Sequence, residues 1–152
     1  MKSMDVLLFT IESRRFAIPL RQVAEVLLAV NVLGLYDAPR IVEGVVNVRG
    51  EILPVLALRA RMGKPAREVR ASEYFVVVRT ETRRVILRSD TTPEIVTLPS
   101  TPDQGGESVE RALAGVLPLS DGLALLQDLD AFMSSADDEL LAAALGNVQP
   151  SA

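Results

Sequence analysis

The chain contains no cysteine, no histidine and no tryptophan. Without cysteine there is no disulfide, no thiolate metal ligand and no thiol nucleophile, which suits a reducing compartment. Without histidine the usual general base, the commonest metal ligand and any phosphoaccepting imidazole are missing. Catalysis would have to rest on carboxylates, lysines or hydroxyls, so a non-catalytic protein with no metal site and no cofactor is expected. Aromatics are scarce, with four Phe and two Tyr, and the core must therefore be built from Val, Leu and Ile. The first apolar run, Val6 to Phe9, is far too short for a signal segment or a membrane span. A cytoplasmic protein without direct membrane insertion is the expectation.

What is present fits one compact domain of 152 residues, or two small subdomains sharing a core. The net charge of −4 is unevenly spread. Residues 1–90 carry 15 Lys and Arg against 10 acids, and residues 91–152 carry Arg111 against 10 acids. The basic half has few aromatic residues among its arginines to act as stacking platforms, which favours a solvated surface over a nucleic-acid site.

Val6 to Ile11 and Phe16 to Pro19 flank the polar turn Glu12-Ser13-Arg14-Arg15 and predict a hairpin. Leu20, Val23, Val26 and Leu27 recur at helical spacing and predict a short helix after Pro19. Ile41 to Val48 and Glu51 to Leu58 predict two strands about an Arg49-Gly50 turn, with Pro54 marking the second as an edge or bulged strand. Arg59 to Ser72 reads as an exposed loop whose charges are solvated. Tyr74 to Arg79 and Arg84 to Leu87 form a further hairpin, and Glu94 to Leu98 another strand. Pro99 to Gly106 is expected to be a flexible loop, Asp130 to Met133 and Asp137 to Leu145 short helices, and Asn147 to Ala152 a frayed end.

The stretch from Gly44 to Leu58 returns as Gly115 to Leu129, an offset of 71 residues at both ends. Units of this size cannot bury an adequate core alone, so two diverged copies of one β unit are expected to share one.

The run Gly44-Val45-Val46-Asn47-Val48-Arg49-Gly50-Glu51-Ile52-Leu53-Pro54-Val55 resembles the signature of the CheW-like coupling domain of bacterial chemotaxis. Val6 to Pro19, Val23-Ala24-Glu25-Val26, Pro39 to Gly44 and Leu125 to Asp130 supply further pieces in order. The resemblance implies an all-β fold with short helices: two five-stranded SH3-like barrels packed around a shared hydrophobic core. Residues 1–135 would form this domain and 136–152 a C-terminal helix and tail. It also implies a non-catalytic adaptor whose partners are the cytoplasmic helical hairpin of a transmembrane chemoreceptor and the regulatory domain of a histidine kinase. Two departures stand out. Ala57 replaces an aspartate, and Val85 to Thr92 keeps Asp90 but lacks the family's glycine and two apolar residues there, so a weaker or differently packed strand is expected.

On this resemblance the receptor-binding residues are Val23, Glu25, Val26, Asn47 and Arg49. The kinase-binding residues are Gly44, Val45, Val46, Ile52, Pro54 and Val55. Arg49 offers fixed donors suited to a carboxylate or carbonyl, while Asn47 and Gly50 set the turn. Glu25 is either a rim contact or an internal partner of Arg49. Other readings stay open: a CheW-like module in a pathway unrelated to taxis, a small-barrel nucleic-acid binder, and an enzyme using Asp90, Asp128 or Asp130, of which helix capping is the simpler account for the last two.

Overall fold

A computed structural model describes residues 3–99, 116–118, 124–126, 129 and 135–146, and among these ten strands form two five-stranded sheets. The elements are β1 (Ser3–Ile11), β2 (Arg14–Pro19), a 3-10 turn at Leu20–Gln22, β3 (Val23–Leu28), β4 (Val42–Val48) and β5 (Glu51–Leu56). They continue with α1 (Leu58–Arg61), β6 (Tyr74–Arg79), β7 (Arg84–Ser89), β8 (Glu94–Pro99), β9 (Val116–Pro118), β10 (Ala124–Leu126) and α2 (Ser135–Leu145).

One sheet has the order β8-β1-β2-β10-β9 and the other β3-β6-β7-β5-β4. The two orders are the same plan. Each centres on a hairpin, β1–β2 or β6–β7, with an antiparallel strand added on one side and a second hairpin joined in parallel on the other. Shifting β4–β5 by 71 residues lands on β9–β10, so the internal repeat of the sequence is a repeat of topology.

The β1–β2 and β4–β5 turns explain themselves locally. Glu12 and Ser13 have φ of 51° and 67°, Arg49 and Gly50 of 51° and 90°. Positive φ at both central residues is what a two-residue turn needs to match strand twist. The Asn47 side chain accepts a hydrogen bond from the Gly50 N–H at 2.7 Å and fixes the second turn.

At β6 and β7 both faces of the second sheet are buried, which is why Phe75-Val76-Val77-Val78 is an unbroken apolar run rather than an alternating one. Val76, Val78, Val85 and Leu87 join Leu7, Phe9, Ile11, Phe16 and Ile18 of the first sheet in a shared core. Phe9 and Phe16 stack there with ring centroids 5.7 Å apart. Leu129 and Leu141 complete it. The opposite face, with Phe75, Val77 and Ile86, packs on Val46, Val48, Leu53 and Val55.

Four expectations are corrected. The helix after Pro19 is a single 3-10 turn followed by β3, because Val23 to Leu28 pairs with β6. Of the two readings of Pro54 the edge strand is overturned, since β5 lies between β7 and β4, and the register shift of the β4–β5 pair falls between Val42 and Gly44 of β4 rather than at Pro54. Val45 bonds Leu33 on its outer side, so its opposite number Pro54 turns its nitrogen away from β4, and the β5–β7 ladder is confined to Val55 and Ile86. Arg59 to Ser72 is only in part a loop of solvated charge: Arg61, Lys64 and Arg70 are exposed, but the segment begins in α1, Arg59 is only 5% exposed and Arg67 is half-buried. Val45, expected at the surface, is 2% exposed.

The remaining hairpin and strand expectations hold for β6, β7 and β8, and α2 ends at Gly146, whose N–H donates to the Ala142 carbonyl at 3.1 Å. Pro99 is the last residue of β8. The expected loop at 100–106, the helix at 130–133 and the tail at 147–152 lie outside the described residues.

Candidate functional site

Alternation along β7 sets up two charged ends. Arg84, Ile86 and Arg88 face one way, Val85, Leu87 and Ser89 the other, and Ile86 sits in the apolar cluster that β4, β5 and β6 enclose. Arg84 and Arg88 therefore stand at opposite mouths of the same barrel.

At the first mouth the charges are closed in. Glu73, 1% exposed, receives Arg88 Nε at 2.8 Å and Nη2 at 3.0 Å, a two-pronged pair. Arg88 Nη1 donates to Glu43 at 2.6 Å, and its remaining bonds go to the Arg67 and Glu68 carbonyls. Arg67 bridges Glu73 and Asp90 at 2.8 and 2.7 Å. Asp90 also takes Arg59 at 2.8 Å and the Glu12 N–H at 2.8 Å, and Arg59 pairs with Glu12. The chain of ion pairs thus runs from the β1–β2 turn of one sheet into the heart of the other.

Burial pulls these carboxylates upward and the arginines pull them down. For Glu73, burial would raise the pKa, but the hydrogen bonds of Arg88 and the Arg70 N–H and the nearby Arg88 and Arg67 charges hold it below its ordinary value. Asp90 is likewise held low against burial by the Glu12 N–H and by Arg59 and Arg67. Glu43 goes the other way: burial, aided by repulsion from Glu73, outweighs its single bond to Arg88. Arg88, despite burial, is held more firmly protonated by the two glutamates. Asp90 is thus an ion-pair anchor. Among the described residues no group of His, Cys, Asp or Glu is arranged to hold a metal.

The second mouth is open. The Arg49 side chain, 65% exposed, leaves the rigid turn and places Nη2 2.5 Å from Glu25 Oε1 on β3. Arg84 Nη2 approaches the same oxygen at 3.3 Å, and its Nη1 lies 3.5 Å from Glu51. Arg84 Nε is buried with no hydrogen-bond partner among the described residues, an arrangement that costs about 1–3 kcal/mol. On the other face of β3 Val26 and Leu28 are exposed, and Val30, Leu33 and Tyr36, further along the chain, are exposed as well.

Of the expected receptor residues, the structure brings Glu25 and Arg49 together at this mouth, while Val26, opposite Val76 rather than Val77, points to the other face of β3. Val23 is half-buried against the shared core, and Asn47 is exposed with its oxygen committed to the turn. Of the expected kinase residues, Gly44, Val45, Val46, Pro54 and Val55 are buried, and Ile52 is half-exposed. Sequence reading passed over Arg84, Arg88, Glu43 and Glu73; the spacing Arg84-x-Ile86-x-Arg88 in a strand is the signal that marks the first two. At Ala57 no side chain caps α1, and β7 remains a full six-residue strand in which Ser89, where an apolar residue was expected, is buried with its hydroxyl accepting from the Thr10 N–H and donating to the Thr91 carbonyl.

A family model described as the CheW-like domain matches residues 5–137. The chemotaxis protein CheW of Rhizobium meliloti is 26% identical over 140 residues, covering 89% of this chain and 90% of the relative. That of Helicobacter pylori is 30% identical over 71 residues, 47% of this chain and 43% of the relative. The scaffolding protein TtCheW from Thermoanaerobacter tengcongensis superposes with a TM-score of 0.71 at 19% identity over 90% of this chain and 92% of that one, so the two sheets have the SH3-like double-barrel fold. The chain belongs to the CheW-like domain family, and so to the coupling adaptors of chemotaxis.

Proposed function

We propose that the protein binds the cytoplasmic helical hairpin of a transmembrane chemoreceptor at the Arg49 mouth and the regulatory domain of a histidine kinase elsewhere on the barrel, bridging the two without catalysis. The observation that carries this is the combination at the open mouth. A guanidinium on an unyielding turn holds Glu25 on one face of the edge strand β3, and Val26 and Leu28 are exposed on its other face. An amphipathic helix crossing that edge would set its apolar side on Val26 and Leu28 and offer a carboxylate or a carbonyl to Arg49. Kinase contact at the β4–β5 corner falls to Ile52, since its neighbours there are buried. No helix among the described residues is long and apolar enough to cross a membrane, so membrane association would come through the receptor.

The test is co-elution of the purified protein with a receptor-tip fragment and a kinase regulatory domain, singly and together. A ternary complex is expected. Arg49→Ala should weaken the receptor-tip complex by about 1–3 kcal/mol, the value of a lost charged hydrogen bond, with kinase-domain affinity unchanged. Binding of one partner only refutes the bridge, and an unaltered tip affinity in the folded variant removes Arg49 from the contact.

A further inference from the structure

Two guanidinium groups converge on one carboxylate oxygen at the open mouth, and they are unequal. Arg49 holds Glu25 Oε1 at 2.5 Å and is mostly solvent-exposed; Arg84 stands off at 3.3 Å from the same atom. Arg88, on the same face of β7, has every nitrogen bonded. Arg84 has an idle, buried Nε and a long approach to Glu51. It is a cation held in place by a strand with donor capacity unused.

If Arg49 turns to an acceptor on a bound helix, it must leave Glu25. That carboxylate is only about a quarter exposed, at 27%, and a partly buried charge stripped of its partner opposes the exchange. Arg84 is already positioned to advance onto it, and the planar fork of Nε and Nη2 then makes the two-pronged pair that the free protein leaves unmade.

We infer that Arg84 is a positioning residue for Arg49: it takes over the Glu25 carboxylate and so frees Arg49 to exchange its internal partner for an acceptor on the partner protein. This rests on the reading of Arg49 as the receptor contact, but the exchange itself is a property of the free protein and is measured there. The specificity that follows is for a partner offering a carboxylate or backbone carbonyl beside an apolar helix face. Arg84 need not touch it.

The experiment is the rate at which 4-hydroxyphenylglyoxal modifies Arg49, read by peptide mass mapping on the full chain, with exposed Arg14 as internal standard. Arg84→Gln should slow Arg49 modification about three- to five-fold, the factor equivalent to the upper range of a surface ion pair. Arg84→Met, which keeps the apolar stem across the mouth, should do the same and excludes a packing effect. Glu25→Gln should speed modification, and adding Arg84→Gln to it should change nothing further. An unchanged Arg49 rate in both Arg84 variants, or equal slowing in the Glu25→Gln background, overturns the inference. Receptor-tip affinity of Arg84→Gln should fall by a similar factor. A wild-type protein that binds no tip fragment refutes the proposed function instead, and leaves the Arg49 rates to decide this inference on their own.

Discussion

Gly44 shows how little room single residues have in this fold. It follows a register shift between Val42 and Gly44 and lies under the strap that connects β3 to β4. A Cβ placed there would lie 2.5 Å from Val32 Cγ1 and closer still to the Leu33 carbonyl oxygen. That carbonyl accepts the Val45 N–H at 2.8 Å, so the strap cannot yield without losing the bond. Gly44→Ala should therefore destabilise by about 1–3 kcal/mol, as overpacking does, seen as a lower urea midpoint. Val45→Glu, at a position that the resemblance assigns to kinase binding, buries an unpaired carboxylate and should abolish both interactions by unfolding.

At the scale of elements, β7 carries the argument. Arg88 pairs with the buried Glu73 and the partly buried Glu43, so Arg88→Met strands both and should cost about 3–5 kcal/mol, the penalty for breaking a buried pair from one side. Adding Glu73→Gln and Glu43→Gln to the variant should recover part of the lost urea midpoint, and failure to recover would show that Arg88 matters for packing alone. Elements fixed by neighbours in sequence were legible: the Arg49-Gly50 and Glu12-Ser13 turns, the β6–β7 hairpin and the 71-residue repeat all follow from local backbone preference and spacing. Glu25 as an internal partner of Arg49 was one of two open readings, and the pair is formed in the structure. β3 was misread because a short valine-rich run satisfies helical spacing by chance, and only its partner β6 settles the matter. The charges of 59–72 were misread for a related reason. Arg59 meets Asp90, and Arg67 meets Glu73 and Asp90, across separations that no periodicity encodes.

At the scale of the whole molecule, the chain begins in one sheet, builds all of the other, and returns to finish the first. The ion-pair chain from Glu12 through Arg59, Asp90, Arg67 and Glu73 to Arg88 and Glu43 spans that junction, which makes acid a probe of the assembly. Glu73 and Asp90, held low in the folded state, contribute stability that is complete above the ordinary carboxylate range near pH 4 and is lost as pH falls through their lowered values. Glu43 has the opposite sign. Its folded pKa is raised, so the native state takes up its proton first, and stability rises as pH falls from that raised value to about 4, its unfolded range. Its charged surroundings are Arg88, Glu73 and Arg59, and the chain has no histidine to titrate across the same interval. The urea midpoint should therefore climb modestly on mild acidification, pass a maximum, and collapse below about pH 4. In Glu43→Gln the rising limb should vanish while the acid collapse stays. A midpoint that falls steadily from neutral pH would mean that Arg88 satisfies both glutamates equally and that the barrel mouth is less dry than its burial indicates, and a rise that survives Glu43→Gln would assign it to a group other than Glu43.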